Sequence, residues 1–173
     1  MTRWALEDAA NPTLLRLHVD AALTDATILT CPPGAAPEPI DRLLEIEAIR
    51  SIDLHRYRAR LNLRADADRA TALRDVSEVL EHAFGPALAL TPDPGPRAFE
   101  TEVTGGRRVA ESPAMAAGHP LLAAVFAVEG VSEAVAGEGV VLVRLGRLFA
   151  WSDREDAVQA SLGGIPGSTS SSR

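Results

Sequence analysis

Residues 119–145 read HPLLAAVFAVEGVSEAVAGEGVVLVRL, and this stretch decides the fold. Leu121, Leu122, Val125, Phe126 and Val128 recur at helical spacing, Pro120 suits a first helical turn, and Gly130 supplies the left-handed residue that ends a helix. The stretch therefore predicts a short helix running straight into a strand. A second apolar run, Val140 to Val143, follows Gly137-Glu138-Gly139, a tight-turn sequence, so the whole reads as a helix–hairpin unit. A fainter copy lies upstream, as a helix over 39–49 and strands within 52–63. Aligned, Leu43 to Ile49 falls beside Val125 to Val131.

Working outward from these two units, 13–20 alternates with Leu15, Leu17 and Val19 on one face and Arg16, His18 and Asp20 on the other, as a half-buried strand does. A second strand is expected at 26–31, before Pro32-Pro33-Gly34 breaks the chain. Strands near 49–54 and 59–64 form a hairpin. Asp66 or Asp68 then caps a longer helix with an apolar stripe of Leu73, Val76, Val79, Leu80, Ala83 and Phe84, stopped by Gly85-Pro86. The prolines of 91–96 cannot continue a helix or join a central strand, which marks a linker. Beyond it, Phe99, Thr101 and Val103 alternate inward, Gly105-Gly106 reads as a hairpin turn into 107–110, and Ser112-Pro113 opens a helical turn. Ser152 with Glu155 makes a capping box for a last helix carrying Val158 and Leu162.

These elements predict an α+β protein of two tandem related domains. Each is a mainly antiparallel sheet with two helices packed on one face, in the order strand-strand-helix-strand-strand-helix. The domains are 1–90 and 97–163, with the linker at 91–96 and a flexible tail at 164–173.

Composition narrows the function. The chain has 173 residues and a net charge of −7, with 17 basic residues, all of them Arg, against 24 acidic ones. The acid excess runs through both halves, which argues against a nucleic-acid partner. One cysteine, Cys31, offers no disulfide and no thiolate set for zinc or an iron–sulfur cluster. The N-terminus is polar and acidic and no run is apolar enough to span a bilayer, so no signal peptide, no membrane association and a cytoplasmic setting are expected. His18, His55, His82 and His119 have no metal-ligand spacing and read as exposed or helix-end residues. Cys31 reads as a small buried thiol. The Arg-rich hairpin (Arg50, Arg56, Arg58, Arg60, Arg64) reads as a solvated sheet face flanked by acids. No nucleophile–base or carboxylate pair presents itself, so the expectation is a protein that is not an enzyme, with no cofactor, catalytic or metal residue.

Several motifs carry a family resemblance. Ser112-Pro113-Ala114, the junction Val125-Phe126-Ala127-Val128-Glu129-Gly130-Val131 and Trp151 resemble the N-terminal domain family of Nfu/NifU-type iron–sulfur scaffolds. Asn11-Pro12-Thr13-Leu14-Leu15-Arg16-Leu17 is similar to that family's first strand. The Cys-x-x-Cys of the cluster-building domain does not occur in this sequence, and Ala48 stands where the family junction has Gly. The resemblance implies a non-catalytic adaptor in iron–sulfur cluster assembly, whose partners are assembly or recipient proteins and whose contact surface includes Asn11, Pro12 and Arg16. The competing expectation is a regulatory module in which paired α+β domains clasp a small molecule.

Overall fold

The computed structural model describes residues 2–102 and 105–163. The chain is α+β, with two four-stranded antiparallel sheets, and divides into two compact units, Met1–Thr91 and Pro92–Arg173. The expected tail at 164–173 and the inward Val103 lie outside the described residues.

In the first unit, β1 (Trp4–Asp8), β2 (Leu14–Val19), β3 (Ile49–His55) and β4 (Arg58–Leu63) form a sheet in the order β1-β2-β4-β3. Alternation drives Leu15, Leu17, Ile52, Leu54, Ala59 and Leu61 to the inner face. There they meet Ala72, Val76 and Leu80 of α1 (Arg69–Phe84) in one cluster. Asp68 caps α1 by accepting the Thr71 N–H at 3.0 Å, and Gly85 at φ 85° ends it. The buried stripe of α1 is Ala72, Val76 and Leu80, at i, i+4 and i+8, which leaves Leu73 37% exposed.

Three expectations for this unit change. The helix expected from 39 is a single 3₁₀ turn, Asp41–Glu45. β1 was not foreseen; it buries Trp4, whose indole donates to the Gly85 carbonyl at 2.7 Å. The strand expected at 26–31 is one bridge, Ile28 to Leu54, with the Cys31 N–H donating to the Ile52 carbonyl at 2.7 Å. It gets no further because Thr30 turns at φ 50° and gives its N–H to the Asp53 carboxylate at 2.8 Å.

The second unit contains β5 (Arg97–Glu100), β6 (Arg108–Ala110), α2 (Pro113–Ala116), α3 (Pro120–Phe126), β7 (Val131–Gly137), β8 (Val140–Leu145) and α4 (Glu155–Gly163). Its sheet runs β5-β8-β7-β6, so Gly105-Gly106 is not a hairpin turn: β5 and β6 sit on opposite edges. The Ser112 hydroxyl accepts from Met115 N–H at 3.3 Å and caps α2, and His119 Nδ1 accepts from Leu122 N–H at 3.4 Å to cap α3. Ser152 instead lies in a 3₁₀ turn and donates to Asp153, so the capping box does not form. The prolyl stretch is fastened within this unit. Asp93 accepts from Gly95 N–H at 2.9 Å and pairs with Arg144 at 2.8 Å.

One displacement along the sequence, that from Ile49 to Val131, carries the register of one unit onto the other. Ile49 pairs with Leu63 as Val131 pairs with Leu145, and both ladders shift register immediately afterwards, at Ile49/Ser51 and Val131/Glu133. Ala48 accepts from Arg64 N–H at 2.9 Å as Gly130 accepts from Gly146 N–H at 2.8 Å. Leu15 opposite Leu61 becomes Arg97 opposite Val143, and buried Val76 and Leu80 become buried Val158 and Leu162. The 26–31 segment borders β3 as β6 borders β7. Among the described residues, no helix is long and apolar enough to cross a membrane.

Candidate functional site: the outer face of the first sheet

The polar chemistry of the first unit collects on the sheet face opposite α1. Strand alternation aims Glu7, Arg16, Arg60 and Asp53 outward, and the register sets them side by side across all four strands. The next row is Ala5, His18, Arg58 and His55. Glu7 joins the two rows: one carboxylate oxygen lies 3.1 Å from Arg16 and the other 2.7 Å from His18 Nε2. His18 is only 4% exposed, so the expectation of a solvent-facing histidine fails. Its direction is the expected one, but Glu7 on the unforeseen β1 covers it.

At the other end of the row, Asp53 accepts from Thr30 N–H at 2.8 Å and from the Asn62 amide at 3.1 Å. Burial pushes the Asp53 pKa up, but these hydrogen bonds and the fields of Arg60 and His55 outweigh it and hold the carboxyl below the ordinary carboxylate range. The row thus presents two guanidiniums in the middle, with an ionised carboxylate at the Asp53 end.

Asn11 and Pro12 stand apart from this face, in the β1–β2 turn. The Asn11 side chain accepts from the Thr13 N–H at 3.0 Å and the Thr13 hydroxyl at 2.9 Å. Arg69, at the start of α1, clasps the same turn through Asp8 and the carbonyls of Ala9, Asn11, Pro12 and Leu14. Of the three surface residues implied by the resemblance, the structure brings Arg16 into the charged row and leaves Asn11 and Pro12 shaping a turn. The residue that sequence reasoning missed here is Glu7, on the unforeseen β1; the sequence puts His18 on the outward face and Asp53 among the acids flanking the hairpin, without their places in these rows. The signal for those places was strand alternation, which is usable only once register is known.

Cys31 is 4% exposed, and burial, with Asp41 nearby, raises its pKa, so it stays a protonated thiol. Among the described residues, no group of three or more His, Cys, Asp or Glu converges as a metal site. A cleft of about 290 Å³ beside the 46–48 junction is lined by Glu47, Arg64, Asp66 and Asp75.

The corresponding row of the second sheet has the opposite character. Arg16, Arg60 and Asp53 are replaced by Ala98, Leu142 and Val135, and Val109 completes the row on β6. Leu142 is 40% and Val109 41% exposed. Compared with known proteins, the chain matches no family model, no curated protein and no solved structure.

Proposed function

We propose that this chain is a non-catalytic adaptor made of two copies of one α+β module. Each outer sheet face is a docking surface. The observation that carries this reading is a contrast between adjacent rows. The buried row Leu17, Ala59 and Leu54 becomes Phe99, Val141 and Ala136, apolar in both units. The neighbouring outer row changes from charged to apolar at every one of the matched positions. Packing constrains the first row. Only what meets the surface constrains the second.

Four strands make a platform about 14 Å wide, which suits a macromolecule better than a small ligand. Arg16 and Arg60 side by side offer planar forks for carboxylates, so the first face fits an acidic patch on its partner. In line with the Nfu/NifU resemblance, that partner is an iron–sulfur assembly or recipient protein. A tagged chain should recover such proteins from native lysate by mass spectrometry. Arg16→Ala, which places no like charge beside Glu7 and should keep the wild-type circular dichroism, should lose them. Equal recovery by the folded variant refutes the proposed surface.

A further inference from the structure

The geometry points to the outer face of the second sheet as an isologous dimer interface, occupied by a second copy of this chain. Three rows cross that face, and each is complementary to itself under a two-fold axis lying along the strands between β7 and β8. Such an axis places β8 of one copy over β7 of the other, and β5 over β6, with strands aligned as in packed sheets.

The middle row, Ala98, Leu142, Val135 and Val109, then stacks on its own reverse: Leu142 meets Val135 and Ala98 meets Val109. Small residues oppose larger ones. On one side, Arg144 pairs across the sheet with Glu133, and the axis sets Arg144 of each copy over Glu133 of the other. On the opposite side, Glu100, Val140 and Gly137 form the third row. Extending the β6 register by one residue beyond Arg108, which lies opposite Ala136, puts Arg107 at the β6 end of that row. Glu100 and Arg107 are both exposed and make no ion pair among the described residues. Across the axis each meets the other, twice per dimer. An exposed apolar row is flanked on one side by Glu100 and Arg107, whose charges meet only across the axis, and on the other by Arg144 and Glu133, which pair within a copy and match again across it; such a face is complementary to itself.

The inference rests on reading the outer faces as docking surfaces, but its test uses purified chain alone and leaves the Arg16 recovery experiment untouched. Sedimentation of the full chain over a concentration series should give a dimer. Leu142→Glu, at an exposed site, should give a monomer with unchanged circular dichroism. Glu100→Arg and Arg107→Glu should each weaken the dimer about tenfold or more, since each sets like charges in contact at both symmetric places. Mixing these two single variants should restore dimer. In the mixed pair the two introduced side chains face each other with opposite charge at one place, and the unaltered Arg107 and Glu100 face each other at the other. A chain monomeric at all concentrations overturns the inference. So does a dimer indifferent to Leu142→Glu, or single variants that do not rescue one another.

Discussion

Replacing Gly130 by Ala tests the helix–strand junction of the second unit more sharply than any core truncation. Gly130 sits at φ 94°, where a Cβ costs about 1–2 kcal/mol. A Cβ built there would lie 2.7 Å and 2.8 Å from two ring carbons of Phe149. Phe149 is 8% exposed, with Arg154 stacked 5.7 Å from its ring centroid, so the ring cannot swing away freely. Overpacking of this kind adds about 1–3 kcal/mol. The two effects together predict a loss of about 2–5 kcal/mol, read as a lower urea midpoint for the second unit. In a double-mutant cycle, adding Phe149→Ala should recover the steric part and leave the backbone part. The first unit supplies the control: Ala48 occupies the corresponding position with negative φ, so Ala48→Gly should cost under about 1 kcal/mol. A Gly130→Ala chain that unfolds at the wild-type midpoint would show that neither the backbone nor Phe149 excludes a side chain there.

Phe126→Ala, at a site 2% exposed, should cost about 3–5 kcal/mol in the same assay, and a loss below about 1 kcal/mol would mean the helix presents another face. Arg69→Ala removes the clasp on the β1–β2 turn and should cost about 2 kcal/mol, with faster amide exchange at Thr13 and Leu14; unchanged exchange would count against the clasp. Because folding lowers the Asp53 pKa, its stabilisation is complete above the unfolded value of about 3.9 and is lost as pH falls through the folded value. The stability gap between wild type and Asp53→Asn should therefore narrow below about pH 4, and a gap constant from neutral to acid pH would contradict the assigned charge.

The helix–hairpin core was legible because its signals are local. Helical spacing, a turn sequence and Gly130 all lie within 119–145, and the structure has α3, the left-handed glycine and the β7–β8 hairpin there. What the sequence hid was pairing between distant strands. Gly105-Gly106 resembles a hairpin turn, yet β5 spends its ladder on β8 and β6 on β7. β1 escaped notice because five residues with two acids give too short an alternation to stand out. Arg16 was legible as a surface residue, but Glu7 and Asp53 became its row-mates only through register, and His18 is buried on the outward face with its Nε2 against Glu7.

An adaptor that works through its surfaces, as proposed for this chain, does not itself carry a cluster. An iron–sulfur cluster takes about four protein ligands, chiefly thiolates, whereas the chain offers one buried, protonated Cys31, and even a dimer would offer two. Anaerobic incubation of the purified full chain with iron and sulfide, followed by desalting, measures this directly. The predicted result is a colourless protein with no stoichiometric charge-transfer absorbance in the visible region, while a stoichiometric absorbance abolished by Cys31→Ser would contradict it.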